Sequence, residues 1–173
     1  MNNEEIALVE RWKTPVWQEK RRVLIANMNG KNTTEEILKS LNSLALSDQQ
    51  DDLRGIDLSG TDISYARFYR ANLDFANFNG CTIFNCSFQA ASLNRASFRK
   101  AVIEYCSFDQ TTCQNATFDS ARISTSSFSE SHLESASFDH SSIIGVNFTD
   151  AKLENVSFKN AEIDDSLRIK EKN

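Results

Sequence analysis

The chain has 173 residues, with 24 acidic and 19 basic side chains, four cysteines and a single proline, Pro15, and carries a formal net charge of −5. That balance argues against a nucleic-acid-binding surface, which needs a basic stripe to displace phosphate counterions. The start, Met1 to Glu5, is acidic and no long apolar run follows it, so neither a signal peptide nor a membrane span is expected and a cytoplasmic location is the default.

Residues 1 to about 50 read as helical. Ile6, Val9 and Trp12 recur at helical spacing. Thr14 before Pro15 has the form of an N-cap and a first-turn proline, opening a second helix with Val16, Trp17, Val23 and Leu24 that stops at Asn29 and Gly30. Thr33 and Glu36 are spaced as a capping box for a third helix with Ile37, Leu38, Leu41 and Leu44 on one side. Seven basic and seven acidic side chains cancel over residues 1–50, so the run Lys20, Arg21, Arg22 is expected to be a solvated helix face, with a docking surface for another protein as the alternative.

From Leu53 to Ile163 an apolar residue returns every five positions without an insertion, and a small residue, most often Ala, Cys, Ser or Thr, usually stands two places before it. Five fits neither the 3.6-residue period of a helix nor the period of two of a strand, so the chain must turn at regular intervals, as a solenoid does. Sorted with period twenty, the central residues separate by type. Leu53, Leu73, Leu93, Cys113, Leu133 and Leu153 form one column; Ile63, Ile83, Ile103, Ile123, Ile143 and Ile163 form another. The other two are phenylalanine columns, Phe78 to Phe158 and Phe68 to Phe148, with Leu58 the exception at the start. Leucine and isoleucine are nearly equal in hydrophobicity, so their separation implies that like stacks on like, four pentapeptides to a coil.

The repeats Ala71, Asn72, Leu73, Asp74, Phe75 and Ala76, Asn77, Phe78, Asn79, Gly80 resemble the pentapeptide repeat family, and the resemblance covers about two-thirds of the chain. It implies an all-β solenoid, a right-handed quadrilateral parallel β-helix of just under six coils over residues 51–165. An α-helical N-terminal cap over 1–50 and a short C-terminal tail over 166–173 flank it. Asp51, Ile56, Val146 and Val156 depart from the small-residue rule. Strand spacing makes the rod roughly 25–30 Å long. A terminal coil exposes unpaired backbone and apolar cross-section, which is the reason to expect a cap at one end and Leu167 and Ile169 of the tail folded over the other.

The central residue and the small one two before it should point inward, leaving three positions in five for surface chemistry. Gly55, Gly60, Gly80 and Gly145 all fall two places after a central residue, where a corner tolerates positive φ. Cys81, Cys86, Cys106 and Cys113 occupy inward sites and are expected to be reduced core thiols. Cys86 and Cys106 should stack about 4.8 Å apart, within disulfide range. No zinc spacing, phosphate loop or His-Glu motif occurs. His132 and His140 are expected at the surface. Ser87, Ser97, Ser107, Ser127, Ser137 and Ser157 repeat with the scaffold, as structural hydrogen-bonding groups do. No catalytic, cofactor or metal site is expected, and the chain is read as non-enzymatic.

The surface leaves three readings. The first is a scaffold that binds another protein along the isoleucine side, where Tyr65, Phe84, Val102, Tyr105 and Ile144 are outward or at corners and Tyr69 lies around the adjacent corner. The second follows from the resemblance: some members of the family bind DNA gyrase through an acidic rod like duplex DNA in charge and width. Residues 51–166 hold sixteen acidic and nine basic side chains, a net of −7, although the tail after Ile163 is too short and polar for the dimerising helix those members carry. The third is self-assembly through the C-terminal coil.

Overall fold

The computed structural model describes residues 2–28 and 52–164. The expected third helix from Thr33 to Leu44, the stop at Asn29 and Gly30, and the tail with Leu167 and Ile169 lie outside the described residues.

From Asp52 to Asp164 the chain is a parallel β-solenoid of about five turns. One side is a six-stranded sheet of β1 (Asp62–Ser64), β2 (Thr82–Phe84), β3 (Val102–Glu104), β4 (Arg122–Ser124), β5 (Ser142–Ile144) and β6 (Glu162–Ile163), stacked in chain order. The register is twenty throughout, so Ile63, Ile83, Ile103, Ile123, Ile143 and Ile163 lie directly over one another. The other sides keep the same offset through single bridges such as Asn72 to Ser92, Asn77 to Ser97 and Ser87 to Ser107. Short strands form on the isoleucine side, where β-branched side chains suit an extended, half-buried backbone.

Two kinds of backbone bond repeat. The N–H of a central residue donates to the next coil, as from Leu93 to the Thr112 carbonyl at 2.7 Å, a bond that recurs at central residues between Leu53 and Phe138, and the small residue after a turn donates back three places, as from Ala96 to Leu93 at 3.0 Å. The residue at the corner is left-handed at every one of the described turns. Gly55, Gly60, Gly80 and Gly145 are four of these; the other 18 are not glycine, from Thr125 at φ 47° to Phe75 at φ 63°. Glycine corners were legible in the sequence, but the conformation is general. Each non-glycine corner costs about 1–2 kcal/mol. It persists because the corner N–H is tied to the next coil, as from Arg95 to the Gln114 carbonyl at 2.9 Å.

The inward pair forms the core. Phe78 and Phe98 stack at 4.6 Å and 2°, and Phe88 and Phe108 at 4.6 Å and 7°, while the two phenylalanine columns meet edge to face, as at Phe78 and Phe88 at 5.8 Å. Offset stacks within columns and perpendicular contacts between them satisfy the ring quadrupole both ways. Phe148, Leu153, Phe158 and Ile163, in the last turns, are only partly buried.

The N-terminal residues form α1 (Asn3–Glu10), a 3-10 turn (Arg11–Lys13) and α2 (Pro15–Met28). Asn2 and Glu5 close a reciprocal capping box at 2.9 Å each way. Several expectations change here. Ile6 and Val16 face outward, and the apolar anchors are Trp12 and Leu24. Pro15 does begin α2, but Thr14 does not cap it with its side chain: the hydroxyl donates back to the Arg11 carbonyl at 2.9 Å. The basic run is not one solvated face. Lys20 is buried with its ammonium 4.3 Å from the Trp17 ring, Arg21 donates to the Asp57 carbonyl, and Arg22 pairs with Glu19 on the surface at 2.6 Å. Burial first, and then the nearby Arg11 charge, lower the Lys20 pKa.

The cap also reaches beyond the first coil. Gly55, Phe75 and Arg95 occupy one corner in successive coils. Gly55 lies against the Leu8–Val9 backbone, and Arg95 pairs with Glu5, so α1 runs lengthwise down that corner with Phe75 between its two anchors. A Cβ on Gly55 would stand 2.8 Å from the Leu8 carbonyl oxygen and 3.0 Å from the Val9 Cα, whereas one on Gly60 meets nothing within 4 Å. Backbone cannot step aside as a side chain can. Gly55→Ala is therefore expected to cost about 2–4 kcal/mol by adding displacement of α1 to the corner strain, and Gly60→Ala about 1 kcal/mol from strain alone. Urea unfolding of the two variants checks the difference; equal losses would mean that α1 does not need the close approach.

Candidate protein-contact surface

The thiols belong to the interior. All four cysteines are buried and free. The Cys86 N–H donates to Cys106 Sγ at 3.4 Å and the Cys106 N–H to Ser126 Oγ at 3.0 Å, so this column of small side chains supplies acceptors for backbone groups of the coil below. Hydrogen bonding with Cys86 and burial raise the Cys106 thiol, and burial pushes Cys113 up to about 12 and raises Cys81. Those three thiols are held as poor nucleophiles at neutral pH, while the hydrogen bond with Cys106 lowers buried Cys86.

Several of the repeated serines pair with aspartate or asparagine side chains of the neighbouring coil. Ser92 donates to Asp74 at 2.6 Å while the Asn94 N–H donates to the same oxygen at 2.8 Å; Ser97 and the Arg99 N–H bind Asn79 in the same way at 2.6 and 2.8 Å. Asp109, Asp119 and Asp139 accept from Ser127, Ser137 and Ser157. Each carboxylate or amide oxygen thus ties its coil to the next. The Ser157 hydrogen bond lowers the Asp139 pKa. His140 is exposed at a corner, but His132 is half-buried, bridging Thr112 and Lys152 with Nδ1 3.5 Å from Glu134; its backbone belongs to an inter-coil ladder, which the surface expectation overlooked. Among the described residues no three His, Cys, Asp or Glu side chains gather to hold a metal ion, and no helix is long and apolar enough to cross a membrane.

The candidate face divides in two. Tyr65 and Phe84 meet edge to face at 5.8 Å, and Phe84 and Tyr105 at 5.5 Å, giving a continuous aromatic ladder over three coils. Tyr65 and Tyr105 are 52% and 55% exposed, while Phe84 between them is half-buried. Val102 is half-buried on β3 between Thr82 and Arg122. Ile144 is exposed on β5, separated in register from Phe84 by Glu104 and Ser124, and so belongs to no patch. Tyr69 lies around the corner, 47% exposed, with the Arg70 guanidinium 5.0 Å from its ring. Arg67, also exposed, stands between Tyr65 and Tyr69 on the same coil. Neither arginine was singled out from the sequence, although the alternation Tyr65, Arg67, Tyr69 around inward Ala66 and Phe68 carries the signal.

The corner of α1 and the corner of Tyr65 are diagonally opposite, two sides of the coil apart. Phe75 and Tyr65 are both aromatic corner residues; α1 lies over the first and leaves the second open.

A four-sided stack of twenty-residue coils, closed at one end by helices and carrying an open aromatic edge, is a repeat scaffold. The chain belongs to the pentapeptide repeat family: residues 52–89 match the description "Pentapeptide repeats (8 copies)" and residues 91–167 "Pentapeptide repeat region". No curated protein matches it in sequence. Among solved structures it is similar to the pentapeptide repeat protein Rfr23 from the cyanobacterium Cyanothece 51142, at 17% identity over 65% of this chain and 86% of that one, with a TM-score of 0.37. It is also similar to QnrB1, a plasmid-mediated fluoroquinolone resistance protein, at 18% identity over 66% of this chain and 77% of that one, TM-score 0.42. A third is a pentapeptide repeat protein from the Arabidopsis thaliana thylakoid lumen, at 21% identity over 62% and 68%, TM-score 0.29.

Proposed function

We propose that this protein is a non-enzymatic cytoplasmic scaffold that binds another protein along the edge formed by Tyr65, Phe84 and Tyr105. The observation that carries the reading is the continuity of the ladder: two half-exposed tyrosines locked edge to face on a shared phenylalanine. Aromatic side chains held rigid on a regular backbone give up little entropy on binding and dominate interface energetics. The free, buried thiols suit a reducing compartment.

Replacing Phe84 and Tyr105 by Ser should leave melting and circular dichroism close to those of the parent, since neither side chain is part of the inward stack. The same change should remove the principal partner from an affinity purification carried out in the native host. An unchanged captured set would sink the reading.

DNA gyrase is the alternative partner, supported by the acidic excess of residues 51–166. Four of those sixteen acidic side chains, Asp74, Asp109, Asp119 and Asp139, accept hydrogen bonds from serines within the fold, and Arg99 pairs with Asp119 at 3.1 Å. A supercoiling assay with purified gyrase separates the two readings.

A further inference from the structure

We propose that the first-coil strip Tyr65, Arg67, Tyr69 and Arg70 binds an acidic segment of a partner protein, its guanidiniums taking carboxylates while the tyrosines and Phe84 take flanking apolar side chains. The inference rests on the protein-binding reading above and names the chemistry of the partner.

Five of the nine described arginines have a carboxylate partner. Arg11 and Arg54 share Asp52, Arg22 has Glu19, Arg95 has Glu5 and Arg99 has Asp119. Arg67 and Arg70 are exposed and have no carboxylate among the described residues; the Arg70 guanidinium lies 5.0 Å from the Tyr69 ring. Arg21 also lacks one but donates to the Asp57 backbone carbonyl, and Arg122 lacks one but is flanked in register by Val102 and Ser142 rather than by aromatic rings.

An acidic chain that leaves two guanidiniums unpaired beside three exposed or half-exposed rings has the make-up of an interface hot spot, in which Tyr and Arg are enriched. Arg67 and Arg70 are three positions apart, so their Cα atoms are at most about 10 Å from each other. In an extended peptide, carboxylates two or three positions apart lie about 7–10 Å from each other, so one acidic segment reaches both. Phosphate-rich ligands fit less well: the net charge is −5 and the exposed Asp62 stands beside the strip. Single-stranded nucleic acid is therefore an outcome for the test to distinguish.

The test uses the full chain and fluorescence anisotropy with three labelled probes: an octapeptide alternating glutamate and phenylalanine, the same peptide with glutamine for glutamate, and dodecathymidylate. The glutamate peptide should bind, and the glutamine peptide about tenfold more weakly. In the double variant Arg67→Gln/Arg70→Gln the preference for glutamate should disappear, while Arg122→Gln, which removes the same charge elsewhere, should keep it. Phe84→Ser/Tyr105→Ser should weaken both peptides. Equal binding of the two peptides, no effect of the arginine changes, or tighter binding of dodecathymidylate overturns the proposal. If only the Phe84 and Tyr105 changes matter, the acidic preference falls and the aromatic edge survives; if the glutamate peptide does not bind at all, the acidic proposal falls and the affinity purification alone decides the aromatic edge.

Discussion

Phe108→Ala is expected to lower the unfolding free energy by about 3–5 kcal/mol, the range for deleting a fully buried aromatic side chain. Phe108 has no exposed surface, stacks at 4.6 Å on both Phe88 and Phe128, and meets Phe98 and Phe118 edge to face at 5.8 and 6.2 Å. Four ring contacts are lost at once, and the neighbouring coils are held apart by their backbone ladders, so the cavity cannot close. In a solenoid each coil contacts only its neighbours, and a defect in the middle also weakens the coupling between the two halves. The two tryptophans, Trp12 and Trp17, both lie in the N-terminal cap and report on that end alone. Urea unfolding followed by tryptophan fluorescence and by circular dichroism should give one midpoint for the parent and separate midpoints for the variant. Phe158, half-buried near the end of the stack, provides the contrast: its alanine variant should lose much less. A loss below about 1 kcal/mol for Phe108→Ala would mean that the coils relax onto one another far more readily than packed interiors do.

Asp52→Asn should release the cap from the first coil at a cost of about 2–4 kcal/mol, because it leaves two guanidiniums partly buried without their anion. Asp52 receives Arg11 at 3.2 Å and Arg54 at 2.8 Å, and Arg11 also binds the Arg54 carbonyl at 2.9 Å while stacking 4.5 Å over Trp17. Trp12 adds an indole bond to the Arg54 carbonyl at 2.8 Å. Burial alone would raise the Asp52 carboxyl, but bonds from Arg54 and then Arg11 overcome it and hold the group well below the usual carboxylate range. The sign follows: a carboxyl depressed in the folded state stabilises fully above its unfolded value near 4, and the contribution is lost as pH falls from about 5 towards the lower folded value. Between pH 7 and 3 the parent should therefore lose cap stability, seen as a red shift of tryptophan emission before the β-sheet signal changes. Asp52→Asn should show the shift already at pH 7 and a flatter acid dependence. An acid profile unchanged by the substitution would remove Asp52 as its source.

The solenoid was legible because its cause is local and repeated: an inward residue every fifth place and a distinct column for isoleucine specify the coil before any long-range contact is known. Stacked isoleucines in a register of twenty follow directly. The helices were legible as helices but not as packing. Ile6 and Val16 have helical spacing yet face outward, because the orientation of α1 and α2 is set by partners some forty residues away, Asp52 for Arg11 and the bare backbone of Gly55 for Leu8. Lys20 could not be told from Arg22 by charge; only the position of Trp17 beneath it distinguishes a buried ammonium from a solvated guanidinium. The candidate edge shows the same limit. Phe75 and Tyr65 carry the same sequence signal at equivalent corners, and which of them remains open is decided by where α1 lies. Arg67 and Arg70 gain meaning only once the corner brings Tyr69 and Arg70 together.

The left-handed corners restrict how such a chain can change in length. One inserted residue would send every later phenylalanine of the stack to solvent. Five would keep the inward pattern but lay isoleucine strands against phenylalanine sides. Only twenty at a time preserves both, so natural variants of this rod should differ by complete coils, and the aromatic edge should be carried along its axis in steps of one strand spacing, about 4.8 Å.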